Sequence, residues 1–158
     1  MANSEAGGTV NTAMGVNALQ DVTTGESKTG IGYQAALNST TAVGTTAIGR
    51  LAIGVGVLTG NYNTALGYAA GQDLTSGEYN TAIGYAAAAN ATTAFDTIAI
   101  GRSAISAGVL TGTANTAIGT SAGGDLTSGE YNNFIGYGAG QNATTGDSNV
   151  AIGRQAIG

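Results

Sequence analysis

The chain has no cysteine, histidine, proline or tryptophan, and each absence closes off a class of reading. Without cysteine there is no disulfide framework and no thiolate nucleophile. Without histidine as well, metal sites and acid–base pairs would have to be built from carboxylates alone. Charge is scarce: 8% of the 158 residues are charged, against about 25% in ordinary soluble domains. Four Lys and Arg and a net charge of -5 provide no basic footprint for nucleic acid. The longest run without a polar side chain, 51–58, has eight residues, two of them Gly. That is far short of the roughly 18 needed to span a bilayer. The opening Met-Ala-Asn-Ser-Glu has neither a basic stretch nor an apolar core, so no signal peptide is expected. Disorder is disfavoured, because 42% of the residues are hydrophobic and they keep a strict register.

What the chain has in quantity is glycine, 28 residues, and order in where they fall. A small–aliphatic–Gly step, usually Ala-Ile-Gly, recurs nine times, at Gly15, Gly32, Gly49, Gly67, Gly84, Gly101, Gly119, Gly136 and Gly153. Successive copies lie 17 or 18 residues apart, and every third copy lies 52 residues on. A fixed period this short marks a solenoid, in which each coil buries its apolar side against the next. The expected fold is therefore all-β: a parallel β-solenoid of about nine 17–18-residue coils forming one domain over 1–158, grouped as units 3–54, 55–106 and 107–158. Helix competes poorly where glycine is so frequent, at about 1 kcal/mol each relative to Ala.

Aligned on these glycines, two positions are invariant in type. The preceding residue is always aliphatic or Met (Met14, Ile31, Ile48, Leu66, Ile83, Ile100, Ile118, Ile135, Ile152), and the third residue after is always Ala (Ala18, Ala35, Ala52, Ala70, Ala87, Ala104, Ala122, Ala139, Ala156). Both are expected to be interior ladders, one of large side chains and one where space is tight. Two before the glycine the residue is small except at Phe134, and four before it Asn occurs six times. The glycine reads as a corner that turns the next side chain outward, since that residue is Tyr33, Tyr68, Tyr85 or Tyr137 in four coils and Arg50, Arg102 or Arg154 in three. A second corner is expected at the Thr-Thr-Gly, Thr-Ser-Gly or Leu-Thr-Gly steps ending at Gly25, Gly60, Gly77, Gly112, Gly129 and Gly146.

The stretch Gly60–Gly71, Gly-Asn-Tyr-Asn-Thr-Ala-Leu-Gly-Tyr-Ala-Ala-Gly, and its counterpart over 78–87, resemble the 17-residue repeats of bacteriophage tail-fibre and bacterial surface proteins. Ser148-Asn149-Val150-Ala151-Ile152-Gly153 is similar to the head repeat of trimeric autotransporter adhesins. That resemblance implies a left-handed β-roll, three chains side by side, with Val150 and Ile152 inward. The adhesin coils are shorter than 17 residues.

Several features admit a binding reading beside a plain one. Asp21 and Glu26, Asp73 and Glu78, and Asp125 and Glu130 flank one turn in each 52-residue unit. They are too few to satisfy Ca²⁺ alone and read better as solvated turns. Asn38, Asn90 and Asn142 each open an Asn-x-Ser/Thr triplet, which turn chemistry explains as well as modification does. The 54–60 loop, Gly-Val-Gly-Val-Leu-Thr-Gly, lacks the lysine of a phosphate-binding loop, and its Val-Leu reads as core filler in the 18-residue coils. The arginines recur every third coil, about 14 Å apart at ordinary strand spacing, and read as partners for acids on an adjacent chain. The tyrosines suit either a sugar or an interface. No catalytic, metal or cofactor residues emerge, and the chain is not expected to be an enzyme.

The expected function is a structural fibre module outside the cell or on a virion, in a phage tail fibre, an adhesin or an extracellular filament. It would self-associate as a trimer or end to end, at about 43 Å per nine-coil subunit. The sequence stops at Gln155-Ala156-Ile157-Gly158 in the same phase as 103–106 with no cap visible, so either it is cut from a longer array or its open ends are met by another molecule, and head-to-tail stacking is the expectation. The alternative is a ligand-binding solenoid, a cell-surface glycan-binding adhesin tip or an ice-binding protein. For ice, Thr12, Thr29, Thr46, Thr64, Thr81 and Thr116 form a row three before the glycine, but the row breaks at Ile98, Asn133 and Val150, and its parity with the aliphatic ladder places it inside.

Overall fold

The computed structural model describes residues 10–157 and is a parallel β-solenoid. Nine three-residue strands, β1 (Thr12–Met14), β2 (Thr29–Ile31), β3 (Thr46–Ile48), β4 (Thr64–Leu66), β5 (Thr81–Ile83), β6 (Ile98–Ile100), β7 (Thr116–Ile118), β8 (Asn133–Ile135) and β9 (Val150–Ile152), stack in chain order into one sheet. Every pairing is parallel and in register with the repeat, Ala82 opposite Ala99 and Ile83 opposite Ile100, for example. No helix is present among the described residues. The fold class is as the spacing predicts.

Each strand ends at a glycine with φ between +123° and +138°, a region closed to side-chain-bearing residues. Proximity closes it a second time, because a Cβ on Gly32 would lie 2.7 Å from the carbonyl oxygen of Gly49 in the next coil. Three further positions per coil adopt left-handed φ: five before the glycine, two after and four after. These, and not the Thr-Ser-Gly steps, are the other corners. The Thr-Ser-Gly glycines are required by close approach: a Cβ on Gly129 would meet the Gly146 carbonyl at 2.5 Å.

The interior differs from expectation at one ladder. The Ala three after the glycine is buried as predicted in every coil from Ala35 to Ala139. The aliphatic residue before the glycine is not. In β9, Val150 and Ile152 are 63% and 68% exposed while Ala151 between them is 2% exposed. The same alternation runs through the sheet, so the small residue two before the glycine points in and the Ile ladder points out. A 17-residue coil is too narrow to hold a large side chain from every strand. Its bulk comes instead from the corner four after the glycine (Leu19, Ile53, Ile105) and from the far wall (Leu58, Leu74, Leu110, Leu126), all buried. In the two 18-residue coils Leu58 and Leu110 fill the core, whereas Val57 and Val109 face solvent.

A polar ladder lines the same interior. Asn63 Oδ1 accepts from Asn80 N (3.0 Å) and Asn80 Nδ2 (3.1 Å), and Asn63 Nδ2 donates to Gly77 O (2.7 Å). Asn115, Asn132 and Asn149 repeat the pattern. Each amide is spent on backbone groups of the next coil, which keeps buried polar atoms satisfied. The ladder is interrupted by Thr45 and Thr97, 52 residues apart, and by Lys28.

Candidate functional site

With the Ile ladder outward, the sheet face becomes the most distinctive surface of the molecule. Four columns lie side by side on it, at five, three and one before the glycine and at one after. At the centre run Thr29, Thr46, Thr64, Thr81 and Thr116 beside Ile31, Ile48, Leu66, Ile83 and Ile118, all half-buried or exposed. The two outer columns stand at the corners. One carries Tyr62, Tyr79 and Tyr131, and the other Tyr33, Tyr68, Tyr85 and Tyr137 with Arg50, Arg102 and Arg154, all exposed. Most of the exposed large apolar side chains of the described residues fall in these columns, the exceptions being Val55, Val57, Phe95, Val109 and Ile157.

Four of the seven tyrosines are stacked on one another. Tyr68 and Tyr85 stack at 5.1 Å with planes 8° apart, and Tyr62 and Tyr79 at 5.3 Å and 18°. The Arg50 guanidinium lies over Tyr33 at 5.5 Å and Tyr68 at 5.4 Å, and donates to Tyr68 Oη at 3.1 Å. Arg154 lies over Tyr137 at 5.8 Å. Ring faces used in this way are less open to a sugar ring, which favours a packed interface at these coils.

The threonine row is the second correction. It shares parity with the aliphatic ladder, as expected, but both point out, so the argument that places it inside fails. The breaks at Ile98, Asn133 and Val150 remain.

Some of the other candidates are tied into the coils. Asn38 Nδ2 donates to Val55 O at 3.0 Å and Asn90 Nδ2 to Ser106 O at 2.6 Å, each bracing one coil against the next. Among the described residues no group of three or more His, Cys, Asp or Glu converges. Glu78 instead accepts from Asn61 Nδ2 at 3.1 Å, and Asp147 accepts from Glu130 N at 2.8 Å. No helix among the described residues is long and apolar enough to cross a membrane.

Lys28 is a buried titratable group that the spacing of the repeats alone does not single out. It is 1% exposed and occupies an Asn position of the polar ladder, with Nζ donating to the carbonyls of Ser39 and Thr40. Burial lowers its pKa to about 8. Its place in the repeat was the available signal, since a long side chain at an inward position has to cross the coil interior to reach a partner.

This is a β-solenoid repeat protein by its own geometry. No family model matches the chain, and comparison with curated proteins and with solved structures returns no match.

Proposed function

We propose that the chain is a structural fibre module whose exposed sheet face joins copies of itself side by side, as a trimer or as a bundle that also grows end to end. The observation that carries this reading is the uniform outward row of aliphatic residues bordered by tyrosine and arginine. Protein interfaces are enriched in aromatic residues and Arg around an apolar core, and monomeric proteins rarely leave a large contiguous apolar surface open. Size agrees: eight steps of about 4.8 Å by at most about 20 Å of chain width gives roughly 760 Å², near the roughly 800 Å² that each partner contributes to a stable complex. The role is mechanical and presentational, in a tail fibre, an adhesin or an extracellular filament, and the resemblance of the repeats to such proteins supports it. No catalytic role is proposed.

The deciding experiment is sedimentation of the chain over a wide concentration range, beside the Leu66→Ser/Ile118→Ser variant. Association by the parent and its loss in a variant of unchanged circular dichroism is the expected result. A parent that stays monomeric throughout overturns the reading. A second reading, ice binding, is favoured by one observation, the outward threonines in five consecutive coils from Thr12 to Thr81. Thermal hysteresis measured on the same material tests it directly.

A further inference from the structure

The distribution of charge around the sheet face is lopsided in a way that specifies how two copies meet. The chain has four cationic side chains. One, Lys28, is buried in the bore, and the other three, Arg50, Arg102 and Arg154, all stand in the single column that follows the corner glycine. The opposite edge of the face is acidic. Glu26, Glu78 and Glu130 precede the corner glycines by six residues, as does Asp147, and Asp96 precedes its glycine by five. The strand, with its Thr and aliphatic columns, lies between the two edges.

Resting on the reading that this face joins copies of the chain, we infer that the occupant is a second copy running parallel to the first, its arginine edge against the acidic edge of its neighbour. When two such faces meet with their coil axes parallel, rotation about that axis carries the left edge of one onto the right edge of the other. Every arginine then lies within one coil of a carboxylate: Arg102 is level with Asp96 and Arg154 with Asp147, and Arg50 is one coil from Glu26. In the antiparallel arrangement each edge meets its own kind, and Glu78, in the middle coil of nine, meets Glu78 of the other copy. Like charges placed opposite one another disfavour that orientation.

The charge spacing does not single out one register. With the copies parallel, a one-coil shift sets Arg50, Arg102 and Arg154 level with Glu26, Glu78 and Glu130 along one seam, and a three-coil shift, about 14 Å, sets Arg50 level with Asp96 and Arg102 with Asp147. A shifted pair extends a bundle lengthwise with no contact between ends.

Because the chain has no cysteine, one introduced thiol reports on orientation directly. Ile135→Cys, in the eighth coil, should link to itself through a short bismaleimide. A mixture of Ile135→Cys with Ile83→Cys, three coils away, should also give mixed products if the three-coil shift forms. A mixture of Ile31→Cys and Ile135→Cys, which only the antiparallel arrangement brings together, should give none beyond background. Charge exchange supplies a second, independent readout. Replacing Arg50, Arg102 and Arg154 by Glu should weaken association by at least about tenfold, as should replacing the acidic edge, Glu26, Glu78, Asp96, Glu130 and Asp147, by Lys. Both sets combined in one chain should restore it. Linking of Ile31→Cys to Ile135→Cys, or association indifferent to either charge set, overturns the orientation while leaving side-by-side assembly standing. A parent chain that does not associate at all removes both.

Discussion

The ring of Phe134 occupies the space that a side chain on Gly140 would need: a Cβ there would lie 2.6 Å from the ring. Phe134 is the one large residue among the inward positions of the strands, and Gly140 holds a corner that Leu19, Ile53 and Ile105 fill elsewhere with the same left-handed φ. Glycine is therefore required there by the ring, since other coils show that the backbone tolerates side chains. Gly140→Ala should destabilise by about 1–3 kcal/mol through overpacking. Adding Phe134→Ala should cost less than the sum of the two single changes, a coupling that denaturant melts of the double-mutant cycle measure.

The all-Ala position makes a parallel case. Ala122 is fully buried, so Ala122→Leu should lose about 1–3 kcal/mol. Ala86→Leu is the control. Ala86 sits at an outward corner where another coil carries Leu51 at the same left-handed φ, and the change should stay within about 0.5 kcal/mol. Equal melts for the two variants would contradict the inward assignment.

Asn132 lies at the middle of the longest uninterrupted part of the polar ladder. Its Nδ2 donates to Gly146 O at 2.7 Å and to Asn115 Oδ1 at 3.1 Å, and its Oδ1 accepts from Asn149 N at 2.9 Å. Asn132→Ala orphans these partners and should cost about 2–4 kcal/mol, at about 1–3 kcal/mol per unsatisfied buried group. Asn132→Asp should be worse, because it turns an acceptor toward two acceptors. The order Asn above Ala above Asp in melting temperature is the check.

Lys28 gives the molecule a pH signature. Burial lowers its pKa from 10.5 to about 8. Between those values the unfolded chain holds a proton that the folded one has lost, so stability rises with pH across that window and is lowest below about pH 8. Lys28→Met keeps the bulk and removes the charge. It should raise stability near pH 7 by about 1 kcal/mol and abolish Lys28's share of the rise. Denaturant melts of parent and variant near pH 7 and near pH 10 isolate that share, because every other group is common to both.

Much of this was legible in the sequence: the coil length, the strand positions, the corner at each repeating glycine, the tight Ala ladder and the outward Tyr and Arg. What misled was uniformity. Nine aliphatic residues in a row look like core, yet the true core is irregular, because Leu19 packs over Gly30 while Phe134 leans into Gly123 and Gly140. Volumes are traded between neighbouring coils, so no interior column except the tightest stays constant. A flat outer face has the opposite requirement, side chains of equal height, and so it repeats. The signal for the right parity was present in Asn63, Asn80 and Asn132. They share alternation with the small strand residues, and their stacked amides belong inside.

The corner glycines stack without a gap, each over the carbonyl of the next, and the arginines and glutamates return after every third one. Excising 55–106 would join residue 54 to residue 107 at equivalent phases, leaving every class of coil-to-coil contact and both charged edges in place. Unequal recombination between units can thus shorten or lengthen such a rod in 52-residue steps while its girth and lateral pairing stay fixed. Its length is free to vary as a heritable trait, separately from everything else about the shape.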